Sequence, residues 1–206
     1  MEEIPQICFL YEEDTPSLKE IAQNFVDSVS LNGLDIRSEA RPAMGPMACL
    51  EWYIPTAAIL FLGKPYFDTF LKEMGKDHYH VLKKGTSSIW KKLFSKEKVV
   101  NFELVGTKGK LSNDNCYSMG FSILGESGNN QSFKFLFEKD ISEEKFKERI
   151  NLILNFMNAF HTDKEQIDEY FVLDQNAISR DTMVLIGYDK NTQKLINIIP
   201  KPKGIK

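Results

Sequence analysis

Ala57-Ala58-Ile59-Leu60-Phe61-Leu62-Gly63-Lys64-Pro65 is the most informative run in the chain. Six apolar residues follow one another without alternation and stop at a Gly-Lys-Pro turn, the pattern of a strand covered on both faces. With Pro55 and Thr56 ahead of it, the run falls far short of the ~20 apolar residues that cross a bilayer, so it is expected in a core and no membrane partner is expected. Upstream, Ile7-Cys8-Phe9-Leu10-Tyr11 reads as a second buried strand, ended by Glu12-Glu13-Asp14. Thr15-Pro16-Ser17 then opens a helix whose apolar stripe is Leu18, Ile21, Ala22, Phe25, Val26 and Val29. Leu34-Asp35-Ile36-Arg37 alternates as a further strand, and Met47 to Tyr53 reads as a short helix. Strand, helix, strand, short helix, strand predicts parallel pairing through crossovers. A Rossmann-like or flavodoxin-like half is therefore expected over residues 1–95.

Beyond Pro65, a long helical region is marked by Phe67, Phe70, Leu71 and Met74, then by Val81, Leu82, Ile89, Trp90, Leu93 and Phe94, with Gly75 and Gly85 expected to divide it. From Val99 the period switches to two. Val100, Phe102 and Leu104, then Tyr117, Met119, Phe121 and Ile123, then Phe133, Phe135 and Phe137 predict three strands of an antiparallel meander with one buried face. Ser142 caps a helix whose buried stripe is Phe146, Ile150, Ile153, Leu154, Met157 and Phe160. Met183 to Tyr188 and Leu195 to Ile199 flank a polar turn and read as a hairpin. The expected class is thus α/β plus α+β. A parallel half (1–95) is followed by an antiparallel half (99–206) with a packed helix and a terminal hairpin, the two forming separate domains or one continuous domain.

The 206 residues are 42% hydrophobic and 27% charged, which excludes global disorder and suits a chain with a real core. Glu2 and Glu3 stand where a signal peptide carries positive charge, so the cytoplasm is the expected location. Cys8, Cys49 and Cys116 match no metal or disulfide spacing. The net charge of −3 conceals a balance of −7 over residues 1–60 and +6 over residues 61–110. Every cation in that basic middle is a lysine interrupted by acids, which points to a solvated helix face more than to nucleic-acid readout.

Asp77-His78-Tyr79-His80 groups two imidazoles with a carboxylate, but on a helix His78 and His80 point apart, so no joint metal site is expected. Gly63-Lys64-Pro65 lies where α/β sheets hold anions, at the carboxyl end of a strand and the start of a helix. The same turn also has a purely conformational explanation. No GxSxG motif is present, and a Cys116/His161 pair would have to be assembled by the fold.

Ile7 to Tyr11 followed by acids, the Arg41-Pro42-Ala43-Met44-Gly45 loop, and Ala58 to Phe67 together resemble a TIR domain over less than half of the chain. The serine usual after the third strand of that family is Gly63 here, and the tryptophan that would follow is absent. NAD-cleaving members use a glutamate on the ensuing helix. Spacing from Tyr66 puts Gly75 at that position, with Glu73 the nearest carboxylate. The resemblance implies either a catalytically dead scaffold or an NAD-cleaving enzyme working through Glu73.

With core periodicity but no convergent catalytic set, the expected function is a non-catalytic protein-interaction or regulatory protein without a cofactor. Its partner would be another protein or a second copy, met through Trp52, Tyr53 and Tyr66 or through the edges of the meander. The alternative is a nucleotide-binding or NAD-cleaving enzyme with Tyr11, Gly63, Lys64 and Glu51 around the ligand and Glu73 as the catalytic carboxylate. A second alternative is nucleic-acid binding through the lysine-rich middle.

Overall fold

The computed structural model describes residues 4–42, 56–70, 76–100, 116–128, 131–174 and 182–198. The elements are β1 (Ile7–Glu12), α1 (Pro16–Val29), β2 (Ile36–Arg41), β3 (Ala58–Leu62), a π-helical turn (Tyr66–Phe70) and α2 (Lys76–Leu93). They continue with β4 (Tyr117–Gly128), β5 (Gln131–Glu138), α3 (Glu143–Thr162), a 3-10 turn (Lys164–Gln166), α4 (Ile167–Tyr170), β6 (Phe171–Val172), β7 (Met183–Asp189) and β8 (Lys194–Asn197). The strands form one mixed sheet in the order β2-β1-β3-β4-β5-β7-β8-β6. No helix among the described residues is long and apolar enough to cross a membrane.

Parallel pairs (β1 with β2, β3 with β4, β5 with β7) alternate with antiparallel ones (β1 with β3, β4 with β5, β7 with β8). The crossover through α1 makes β1 and β2 parallel, as the sequence predicts. The expectation fails at β3, which runs antiparallel to β1 with Ile7 opposite Leu62 and Tyr11 opposite Ala58. An apolar run without alternation reports burial of both faces and carries no strand direction. Residues 1–95 therefore do not form a wholly parallel half. Parallel pairing of β3 with β4, through α2, carries the sheet without a break from the first half of the chain into the second. The antiparallel β4–β5 pair and the β7–β8 hairpin form as expected, but the second half is not wholly antiparallel, because β5 pairs with β7 and β6 with β8 in parallel. The expected strand at Val100 to Leu104 and the expected helix at Met47 to Tyr53 lie outside the described residues, apart from Val100 itself. The two-residue β6 was not predicted, being too short to show a period.

Register lines up the core. Phe9, Leu60, Ile123, Phe135 and Ile186 are successive neighbours across five strands, and all are buried. Helices α1, α2 and α3 pack side by side in that order, and Phe9 meets Phe25 of α1 while Phe121 and Phe137 meet Phe146 of α3. Ser142 caps α3 by accepting from the Lys145 N–H at 3.4 Å, with Glu143 and Glu144 at the positive end of the helix.

Gly85 does not divide the helical region: α2 runs from Lys76 to Leu93 through it. The residue is needed for close approach, because a Cβ there would sit 2.5 Å from Val29 Cγ1 and 3.2 Å from the Phe25 ring. Nor does His78 belong to a surface face. It is 1% exposed, its Nε2–H donates to Val29 O at 2.8 Å, and Nδ1 faces the Tyr66 hydroxyl at 3.2 Å. His80 is exposed, so the two imidazoles do point apart.

Two outcomes follow from this packing. Gly85→Ala would normally gain about 1 kcal/mol in a helix interior. Here the added methyl meets the fully buried Val29, and overpacking of ~1–3 kcal/mol wins. Urea denaturation should show a lower midpoint for Gly85→Ala, and an equal or higher one would refute the close approach. Burial pushes the His78 pKa down, against the opposing pull of its bond to Val29. The unfolded chain thus takes up a proton below about pH 6.5 that the folded chain resists, so this contribution is complete above that pH and is lost as pH falls. The denaturation midpoint should drop from about pH 7.5 to about pH 5.5, and His78→Gln should flatten that drop while lowering the midpoint at neutral pH. An unchanged slope in His78→Gln would assign the acid sensitivity elsewhere.

Candidate functional site

The antiparallel course of β3 scatters the residues expected to surround a nucleotide. Tyr11 lies near the carboxyl end of β1 beside Ala58, whereas Gly63 and Lys64 follow Leu62 at the opposite end of the sheet. Tyr11 is also buried. Glu51 and Glu73 lie outside the described residues, as do Trp52 and Tyr53. Tyr66, expected at an exposed apolar surface, is fully buried, because its ring meets Phe67 edge-on and its hydroxyl meets His78. Cys8 is buried, and burial raises its thiol pKa to about 12. Cys116 and His161 form no pair. Cys116 precedes β4 while His161 binds Glu126 at the other end of that strand, nine residues beyond Tyr117 and roughly 25 to 30 Å away.

At the carboxyl end of β3, Lys64, Asp68, Glu126 and His161 converge. The Lys64 N–H donates to Glu126 Oε2 at 2.9 Å, and the Lys64 ammonium pairs with Asp68. His161 Nε2–H donates to Glu126 O at 2.8 Å, and its ring stacks on Phe67 at 5.3 Å. Burial lowers the His161 pKa, so the imidazole is neutral at pH 7. The main-chain N–H that would greet an incoming anion is thus already held by the chain's own carboxylate. Gly63 has a steric cause, since a Cβ there would lie 2.6 Å from Pro5 O.

The opposite end of the sheet holds a more open chemistry. Where β5 and β7 end and α3 begins, a cavity of about 570 Å³ is lined by Cys116, Glu138, Lys139, Asp140, Lys145, Glu148, Arg149, Tyr188 and Lys190, among others. Arg149 stands against its wall, 7% exposed, with its guanidinium 3.0 Å from the centre of the Tyr188 ring. Its Nη2 lies 3.8 Å from Glu138 Oε1 and its Nη1 3.8 Å from Glu148 Oε2. Both separations are ion-pair contacts too long for hydrogen bonds. Among the described residues Arg149 Nε has no hydrogen-bond partner, and neither has the buried Glu138 Oε2. A buried charged group without hydrogen bonds costs more than the ~1–3 kcal/mol of an unmet neutral one. Donor and acceptor therefore stand side by side, each with capacity unused.

Arg149 was legible in one respect. It falls three residues after Phe146 and four before Ile153, on the apolar stripe of α3. An arginine on a buried stripe needs a partner, and among the described residues this one meets an aromatic face and two carboxylates at 3.8 Å. Glu138, at the end of a strand, gave no such signal.

Among the described residues no group of three or more His, Cys, Asp or Glu side chains is placed to hold a metal ion. Comparison of the chain with protein-family models, with curated proteins and with solved structures finds no match, so the assignment of function rests on its own residues.

Proposed function

We propose that the chain is a non-catalytic protein-interaction module whose groove at the β5–β7 end clasps a short segment of a partner's main chain. The observation that supports this reading is the pair of buried, unpartnered atoms, Arg149 Nε and Glu138 Oε2, on two residues that line one cavity. A simple anion would satisfy the first and be repelled by the second. A peptide group offers both complements at once, its C=O accepting from Arg149 and an N–H donating to Glu138. The rim is mixed in sign, with Lys139, Lys145 and Lys190 against Asp140 and Glu148, which suits a polar segment better than a strongly charged one. The Tyr188 ring holds the guanidinium in place, so little of its freedom remains to be lost on binding.

The nucleotide-binding or NAD-cleaving alternative, with its TIR-like resemblance, would use the Lys64–His161 end of the sheet, where Glu126 already occupies the Lys64 N–H. Prolonged incubation of concentrated protein with NAD, ATP and GTP should leave all three intact. Turnover that disappears in His161→Gln would turn the assignment to that end.

Selection of displayed peptides on the full chain, followed by titration of the enriched sequences, tests the groove directly. Arg149→Lys keeps the charge and removes the Nε donor, so it should weaken selected peptides by about tenfold, or roughly 1.4 kcal/mol. Thermal melting checks that the variant stays folded. Peptides that bind Arg149→Lys as tightly as the unmodified chain would refute recognition through Nε.

A further inference from the structure

The lysines of the basic middle segment have no role in the groove. On α2 the positions Lys83, Thr86 and Ser87 share one face, and on α3 the positions Lys147 and Asn151 share another. Where these faces meet, with Lys84 at the edge, they line a second cavity of about 250 Å³. Three lysines line it, and no carboxylate does among the described residues. Lys147 is paired with Glu143 at 2.7 Å, but no carboxylate is paired with Lys83 or Lys84 among the described residues. The Lys83 ammonium instead lies 3.9 Å from the centre of the Tyr79 ring, and burial lowers its pKa. Tyr79 is itself anchored to α3 through Asn155 and Asn151 O, which holds this wall in position.

We infer that this cleft between α2 and α3 binds a phosphate-class oxyanion, as a free diphosphate or as the phosphoryl end of a larger molecule. Lysine is a point-charge donor suited to phosphate oxygens, and several lysines around one small concavity favour a multiply charged group over a single carboxylate. The hydroxyls of Thr86 and Ser87 donate to Lys83 O, at 2.8 and 3.2 Å, so their lone pairs face an anion poorly and the cations carry the recognition. The cavity is smaller than the ~300–1,000 Å³ typical of drug-sized ligands, so it takes a headgroup and not a whole nucleotide. The site is independent of the Arg149 groove.

Calorimetric titration of the full chain with pyrophosphate, inorganic phosphate, glycerol phosphate and a short single-stranded oligonucleotide tests it. Saturable pyrophosphate binding is expected, weakened at least tenfold in the Lys83→Gln/Lys84→Gln double variant and unchanged in Lys190→Gln, whose lysine lines the other cavity. Tighter binding of glycerol phosphate than of pyrophosphate would identify the ligand as a phosphoryl end on a larger molecule, and the reverse order as a free ion. Absence of saturable binding by any phosphate would overturn the inference. So would equal weakening in Lys190→Gln, or binding of the oligonucleotide alone with a steep salt dependence.

Discussion

The rest of the sheet depends on the two-sided pairing of β3. Its five residues are registered against β1 on one edge and β4 on the other, antiparallel on the first and parallel on the second. Without it the β2–β1 pair would be an isolated ribbon, and two strands alone are marginal in water. The run Ala58 to Leu62 can occupy this place because both of its faces are apolar, with Ala58, Leu60 and Leu62 in the helix-facing core and Ile59 also buried. Nearby, the buried hydroxyls of Thr56 and Ser122 of β4 meet at 2.6 Å and satisfy each other.

That same strand marks the limit of what the residues disclosed before folding. Where periodicity was local the elements emerged with close boundaries: α1 from its Thr-Pro-Ser start, α3 from Ser142, and the β7–β8 hairpin from its polar turn. Direction is a different kind of information. Nothing in Ala58 to Leu62 distinguishes a strand running with β1 from one running against it, because that depends on the end of the sheet at which the chain returns. The error carried through to the site. Tyr11 and Gly63 look like neighbours if the strands are parallel, and they are separated by the length of β1 once they are not. Gly85 misled for a related reason, since a helix-breaking residue and a helix-contact residue are the same letter until the neighbouring helix is known.

The groove was hidden because its two decisive atoms come from residues with no motif between them. Arg149 and Glu138 are eleven positions apart on a helix and a strand, and their proximity is set by how α3 lies across the end of β5. Retaining a buried guanidinium beside a carboxylate, without hydrogen bonds between them, sacrifices stability that an apolar pair of similar size would supply. Under the proposed binding role, a partner's main chain would complete what the fold leaves open. The basic middle segment also takes on meaning only in three dimensions, where its Lys83 and Lys84 join Lys147 of α3 in lining a concavity to which no carboxylate contributes among the described residues.

The row of Phe9, Leu60, Ile123, Phe135 and Ile186 also constrains the alignment of the strands. The neighbouring row on the opposite face is Cys8, Phe61, Leu124, Lys134 and Leu185. A slip of β5 by a single position would carry Lys134 into the layer of aromatic rings beneath α3 and turn Phe135 away from it. Lys134 is already buried in the correct register and is not without a partner there, so the slip would move its ammonium from those surroundings into the aromatic layer. Strand alignment in this chain is therefore held by the exchange of a buried lysine for a buried phenylalanine that any one-position slip of β5 would force.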